Sequence, residues 1–119
     1  MKYNITDALQ ALKPGAEWVL DGGNYTGLTW LSSEQQPTKQ EIFDKIAELD
    51  AAEPMRLLRI ERDKRIAKTD WRASSDLTLT DAWKTYRQAL RDLPAGSVPK
   101  LDSFNELDLT SVTWPTEPS

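Results

Sequence analysis

The fold of this chain is decided by two neighbouring stretches, Arg62-Asp-Lys-Arg-Ile-Ala-Lys-Thr-Asp-Trp71 and Trp83-Lys-Thr-Tyr-Arg-Gln-Ala-Leu-Arg-Asp-Leu-Pro94. They concentrate two tryptophans, a tyrosine and many basic residues into two segments with helical spacing, joined by a polar elbow. Large aromatic rings and arginines contribute most of the binding energy at protein interfaces. The sequence therefore indicates a surface that holds another protein.

The first of these segments predicts a helix over residues 54–68. Its apolar positions recur every three or four residues, counting the stem of one arginine as apolar. They are Met55, Leu58, Arg62, Ile66 and Thr69, and two further residues widen the stripe, Leu57 and Ile60.

The second segment predicts a helix over residues 81–93, with Thr78 or Thr80 as its N-cap and Pro94 at its end. The same spacing recurs at Trp83, Tyr86, Leu90 and Leu93. We expect the two helices to form an antiparallel pair. Their large rings should lie in or at the rim of the seam between them, where they supply most of the burial: Trp71, Trp83 and Tyr86.

Residues 1–53 predict a smaller mixed module. A short helix over residues 6–12 should end at Pro14, and two strands over residues 17–20 and 25–30 should form a hairpin around Gly22 and Gly23. Thr38 and Glu41 have capping-box spacing and should begin a helix. An apolar stripe then covers the hairpin: Ile42, Phe43, Ile46 and Leu49. Pro54 should interrupt that helix, either as a break or as a kink.

Residues 97–119 predict an extended acidic arm that contains Pro99, Pro115 and Pro118. Trp114, between β-branched residues and proline, could anchor the arm in a groove on its own domain or on a neighbour. The alternative is a disordered tail. The sequence thus predicts an α+β fold in three parts: an αββα module over 1–53, an antiparallel helical hairpin over 54–96 and the arm over 97–119.

Basic side chains concentrate in the middle of the chain. Residues 1–54 carry four basic and nine acidic side chains, residues 55–92 carry ten and six, and residues 93–119 carry one and four. This pattern favours either a patch for an acidic partner or a solvated helix face with ion pairs such as Glu61–Arg65. Nucleic acid is disfavoured as a partner, because the rings fall on the apolar helix faces and the net charge is −4.

The composition argues against an enzyme. Without cysteine or histidine, the chain has no disulfide, thiolate metal site or imidazole base, and we expect no cofactor and no bound metal. Capping and ion pairing explain the candidate acid–base pairs, Asp63 with Asp70 and Asp76 with Asp81. The apolar runs are too short for a membrane span or a signal peptide, so we expect the protein to stay in the cytoplasm where it is made.

Three ordered motifs resemble a known family. Arg62-Asp-x-x-Arg65-Ile-Ala-x-Thr69-Asp70-Trp71, Ser75-Asp76 and Trp83-x-x-Tyr86-Arg87-Gln88-Ala89-Leu90-Arg91-Asp92-Leu93-Pro94 together resemble the helical domain of bacteriophage tail assembly chaperone-like proteins, small products associated with tail-fibre genes. Trp30 followed by Pro37-Thr38-x-x-Glu41-Ile42 is similar to their N-terminal half. Trp114-Pro115-Thr116 is similar to their ends.

The resemblance implies a protein that binds tail-fibre or baseplate polypeptides in the host cytoplasm and helps them fold or attach. It carries no catalytic residues. The alternative is a permanent structural component of the virion tail, and self-association in a virion stays open. We expect the partner-binding surface to comprise Arg65, Asp70, Trp71, Trp83, Tyr86, Arg87, Arg91 and Trp114, with Arg87 and Arg91 as rim cations that steer an acidic partner.

Overall fold

The computed structural model describes residues 2–74 and 77–118. Ser75 and Asp76, which belong to the predicted elbow, lie outside the described residues. The chain divides into two compact units: the first is Met1–Glu53 and the second is Pro54–Ser119. The helices and strands are α1 (Ile5–Leu12), β1 (Trp18–Leu20), β2 (Leu28–Trp30), α2 (Lys39–Ala67) and α3 (Asp81–Asp92). The predicted α+β class is confirmed.

Helix α1 begins with a capping box that the sequence interpretation did not single out. The Asp7 N–H donates to the Asn4 side chain, and the Asn4 N–H donates to the Asp7 carboxylate, both at 3.0 Å. These bonds satisfy two amides that the first helical turn would otherwise leave unpaired. The helix therefore starts at Ile5, one residue before the predicted start.

The hairpin is confirmed, but its second strand is shorter than predicted. Strands β1 and β2 pair antiparallel, with Trp18 opposite Trp30. Residues Tyr25–Gly27, predicted as strand, form a 3-10 turn instead. The Gly27 N–H bonds the Asn24 carbonyl at 2.9 Å, and the Gly27 carbonyl accepts from Asp21 N–H at 3.0 Å. These two bonds close the loop and leave the strand only three residues, from Leu28.

The core of the first unit forms where α1 and the start of α2 meet the hairpin. Its buried residues are Ile5, Ala8, Leu9, Ile42 and Ile46, and the half-buried side chains packed on them include Trp18, Leu20, Tyr25, Leu28 and Trp30. The predicted stripe is wrong at Phe43, which is exposed. The Lys39 ammonium lies over its ring, 5.9 Å from the centroid.

Helix α2 begins at the predicted capping box. The Glu41 N–H donates to the Thr38 hydroxyl at 3.1 Å, and the Thr38 N–H donates to the Glu41 carboxylate at 3.0 Å. The backbone N–H of Thr38, followed by its hydroxyl, holds the pKa of Glu41 below its ordinary value. Thr38 and Glu41 therefore fix the start of α2.

The predicted break at Pro54 is wrong, because α2 continues through it, and the alternative of a kink stays a prediction. Proline removes one amide donor from the helix. The preceding turn, however, is stabilised by residues near the N-terminus of the chain. The Asp50 carboxylate accepts from the backbone N–H groups of Lys2 and Tyr3, each at 2.9 Å. Glu53, only 1% exposed, pairs with the Lys2 ammonium and accepts from the Tyr3 hydroxyl at 2.5 Å. These contacts stabilise helical geometry just before the proline.

In the second unit, the contacts of α3 with α2 and with Thr69, just after α2, run in opposite order along the chain, as in an antiparallel pair. Arg62 donates to the Arg91 carbonyl at 3.3 Å, whereas Arg87 donates to Thr69. Leu58 is fully buried on the predicted stripe, but the prediction for Ile60 is wrong, because this residue is exposed.

Helix α3 takes its N-cap from Thr80 rather than from Thr78. The Trp83 N–H donates to the Thr80 hydroxyl at 3.3 Å. The helix ends at Asp92 and passes into a 3-10 turn, Leu93–Gly96. The C-terminal end of the helix is therefore one residue earlier than predicted, and Pro94 lies in the turn that follows it.

The C-terminal arm is not uniformly extended. Leu101 and Leu107 form an isolated antiparallel bridge, and residues Leu109–Ser111 form a 3-10 turn. The hydroxyl and then the N–H of Thr110 donate to Asp108 and lower the pKa of that carboxyl. Val112, which follows the turn, is buried. The arm is thus folded locally, and Val112 packs it in the second unit.

The close packing of Gly27 against Asp21 leads to a prediction for the stability of the first unit. A Cβ built at this position lies 1.9 Å from the Asp21 carbonyl oxygen, a backbone atom that cannot rotate away. We expect Gly27→Ala to lower the free energy of unfolding by roughly 1–3 kcal/mol, since overpacking forces the backbone to shift. The control is Gly96→Ala, where a Cβ meets nothing within 4 Å. Equal urea midpoints for the two variants would contradict the prediction.

Candidate functional site

A buried arginine joins α3 to the end of α2 in the second unit. The guanidinium of Arg87 donates to the Thr69 hydroxyl at 2.6 Å and to the Asp70 carboxylate at 3.0 Å. Arg87 is only 8% exposed. The prediction that it is a rim cation for steering a partner is therefore wrong, because its charge is used inside the chain.

The residues after Thr69 turn at once into a 3-10 helix, Asp70–Ala73, which presents Trp71 and Arg72. The Arg72 guanidinium carbon lies 4.5 Å from the Trp71 ring centroid and 3.9 Å from the Trp83 ring centroid. One planar cation thus contacts two indole rings. Stacking of this kind contributes about 0.5–1 kcal/mol at exposed sites and more where water is excluded.

Trp83 in turn meets Tyr86 edge to face, with centroids 5.7 Å apart and an interplanar angle of 88°. We call the connected set Trp71, Arg72, Trp83 and Tyr86 the aromatic–arginine ladder. Its exposure rises along its length: Tyr86 is 4% exposed, Trp83 is half-buried and Trp71 is 58% exposed. The ladder therefore starts in the core of the second unit and ends at solvent.

The environment of Tyr86 differs from that of the exposed end. Burial raises the pKa of its hydroxyl, and the negative charge of Glu117 raises it further, against an opposing effect of Arg65. This hydroxyl therefore stays neutral well above physiological pH. The buried end of the ladder is thus fixed in one charge state, while Trp71 is available for contact.

A second feature lies where the arm meets α2. The Arg65 guanidinium carbon is 4.1 Å from the Trp114 ring centroid, and the Trp114 indole N–H donates to the Leu109 carbonyl at 3.1 Å. An open cavity of about 410 Å³ adjoins them, lined by Glu61, Arg65, Lys68, Tyr86, Pro115 and Glu117. Trp114 therefore anchors the arm on its own unit.

A family model described as phage tail assembly chaperone protein matches residues 55–119, more than half of the chain. The chain belongs to the phage tail assembly chaperone family. The matched range includes the whole ladder, Arg87 and the arm, so the family match covers both features described above. The family indicates a role in bacteriophage tail assembly. No curated protein and no solved structure matched the chain.

In this chain, the predicted site residues fall into two groups and one outlier. The first group is built around the ladder: Asp70, Trp71, Trp83, Tyr86 and Arg87. Arg65 and Trp114 form the second. Arg91 is the outlier: it is exposed, and the contact described for it is made by its backbone carbonyl.

The sequence interpretation missed Arg72. Its place directly after Trp71, in the predicted elbow, was the available signal. Adjacency alone could not identify a contact with Trp83, because successive residues in an extended elbow point to opposite sides. The 3-10 turn brings the guanidinium back between the two rings.

Both carboxylates of the first candidate acid–base pair, Asp63 and Asp70, are engaged in ion pairs. Asp63 accepts from Arg62 at 2.6 Å, and Asp70 accepts from Arg87. Asp76, of the second candidate pair, lies outside the described residues. Among residues 2–74 and 77–118, no group of three or more acidic side chains is placed to hold a metal ion. In the same ranges, no helix is long and apolar enough to span a membrane.

The two arginines of α3 make a matched pair for a stability test. We expect Arg87→Ala to lower the free energy of unfolding by about 2–3 kcal/mol, since it removes two hydrogen bonds, one of them to a carboxylate, and a packed stem. Arg91→Ala should change it by less than about 0.5 kcal/mol, because that side chain is exposed. Urea unfolding followed by tryptophan fluorescence measures both. Similar losses for the two variants would remove the structural role assigned to Arg87.

Proposed function

We propose that this chain binds unassembled tail-fibre or baseplate polypeptides through the exposed end of the aromatic–arginine ladder and assists their folding or attachment. The observation that carries the proposal is that the Trp71 side chain is exposed and is at the same time held in place by Arg72. Trp71 is 58% exposed, and the Arg72 guanidinium lies over one face of its ring. A ring that is already ordered loses little entropy when a partner covers it.

The chemistry of the client supports this assignment. Unassembled chains of a β-rich fibre expose strand edges and apolar stripes, which aggregate unless they are covered. A small chaperone needs a compact apolar anchor with polar surroundings to cover them. Tryptophan and arginine are the residues enriched at such anchoring positions.

Charge supports the approach of an acidic client. Residues 55–92 carry ten basic and six acidic side chains, within a chain that is acidic overall. Arg59 and Arg91 are exposed on the two helices and take the steering role that Arg87 cannot. Such charges raise the rate of association more than the final affinity. We propose that the chain acts by binding and without catalysis, in the host cytoplasm during tail assembly.

Replacing the exposed ring tests the proposal. We expect Trp71→Ala to weaken binding of the fibre or baseplate polypeptide about 30-fold, the effect of losing a hot-spot residue worth about 2 kcal/mol. Co-expression of the polypeptide with the tagged chaperone, followed by affinity capture and titration, measures the loss. The matched control is Val19→Ala, an exposed apolar side chain in the other unit. If both variants capture the client like the wild type, the ladder is not the binding surface.

The composition of purified virions distinguishes a transient chaperone from a permanent tail component. A chaperone that leaves after assembly should be absent from the particle or far below the copy number of the fibre. Quantitative mass spectrometry of purified phage measures this ratio. A fixed, stoichiometric amount in every preparation would favour the structural component instead.

A further inference from the structure

The end of the arm lies beside the basic residues of α2. The Trp114 ring faces the Arg65 guanidinium at 4.1 Å. Glu117 lines the same cavity as Lys68 and Tyr86, and its charge reaches the Tyr86 hydroxyl. One aromatic ring and one carboxylate of the arm thus lie against the opposite side of the cavity. We call this side the wall; it is formed by Glu61, Arg65, Lys68 and Tyr86.

The charges of the two partners are complementary. Residues 93–119 carry four acidic side chains and one basic one, whereas residues 55–92 have an excess of basic side chains. The wall combines Arg65 and Lys68 with a single acidic residue, Glu61, which accepts from Arg65 at 3.2 Å, so the formal charges of the three leave one net positive charge. Such a wall attracts an extended segment that carries carboxylates, and it offers a flat cation for stacking an aromatic ring.

The arm fills this place incompletely. A cavity of about 410 Å³ remains open between the arm and the wall. Among the ion pairs of the described residues, none joins Glu117 to Arg65 or Lys68. The contact between the arm's end and α2 therefore depends mainly on the stack of Arg65 on Trp114.

The arm's firmer attachment lies upstream of this contact. Val112 is 6% exposed, so its side chain is packed in the second unit. The segment that follows it can leave the wall without unfolding this anchor. A tethered segment has an effective concentration on the order of 1 mM, so a free ligand displaces it when a higher affinity or a higher concentration offsets this advantage.

We infer that the groove formed by Glu61, Arg65, Lys68 and Tyr86 binds an extended acidic segment of a tail polypeptide that carries an aromatic ring, and that the chain's own arm occupies it as a displaceable substitute. The inference rests on the proposed function for the source of the segment. It adds a second binding site, separate from the exposed end of the ladder, and it names the chemistry that this site recognises.

A labelled peptide with the sequence of residues 110–119 tests the groove in the full-length chain. Opening the groove by Trp114→Ala should tighten binding of this peptide about fivefold relative to the wild type, the effect of removing one competing arginine–aromatic stack. Fluorescence anisotropy measures the titration. The matched probe is the same peptide with alanine for its tryptophan, which should bind the opened chain at least fivefold more weakly.

Two further variants, made in the Trp114→Ala background, examine the wall. Arg65→Lys keeps the charge and helix propensity but loses the planar stack, and it should weaken peptide binding about fivefold. Lys68→Gln should weaken binding and reduce its dependence on salt, because it removes one of the attracting charges. Thermal melts by circular dichroism confirm that each variant is folded.

The outcomes separate this inference from the proposed function. Equal peptide affinity in the wild type and the Trp114→Ala chain, or no effect of Arg65→Lys, would overturn the groove as a binding site. The titration uses a synthetic peptide and needs no fibre protein. Failed peptide binding with intact client capture therefore removes the groove alone, and lost client capture with intact peptide binding removes the proposed client alone.

Discussion

The second unit depends on the buried guanidinium of Arg87. This single group bonds the Thr69 hydroxyl and the Asp70 carboxylate, and so it fixes α3 against the point where α2 ends. A buried cation is costly unless its donors are satisfied. The hydrogen bond to Asp70 helps to satisfy the cation and fixes the start of the turn Asp70–Ala73. This turn presents the ring of Trp71.

From this anchor the chain builds a surface that is ordered and yet exposed. Tyr86 belongs to the core and contacts Trp83, which is half-buried. Arg72 contacts both Trp83 and Trp71, and Trp71 reaches solvent. Under the function proposed above, the exposed ring of Trp71 supplies a preformed contact for a polypeptide whose own apolar surface is not yet buried. The planar cation keeps the ring ordered without hiding it.

Sequence reasoning found the features whose signals are local. The capping box of Thr38 and Glu41, the N-cap at Thr80 and the hairpin around its glycines all depend on neighbours within a few residues. It failed where a distant contact decides the outcome. The helix passes Pro54 because Lys2 and Tyr3 hold Asp50 and Glu53.

The site shows the same division. The rings and arginines could be named from their spacing, but the burial of Arg87 and the stacking of Arg72 require the geometry of the turn. The spacing shows which residues share a helix face. It does not show which of two nearby arginines will bond inside the chain and which will face a partner.

Site-specific photocrosslinking tests the central claim most directly. A photoreactive aromatic amino acid placed at position 71, which keeps a large ring there, should crosslink to a fibre or baseplate polypeptide that mass spectrometry identifies when the full-length chain is produced during infection. The same amino acid at position 19, exposed in the other unit, should give no such product. A crosslink to that polypeptide from position 19 but not from position 71 would contradict the account.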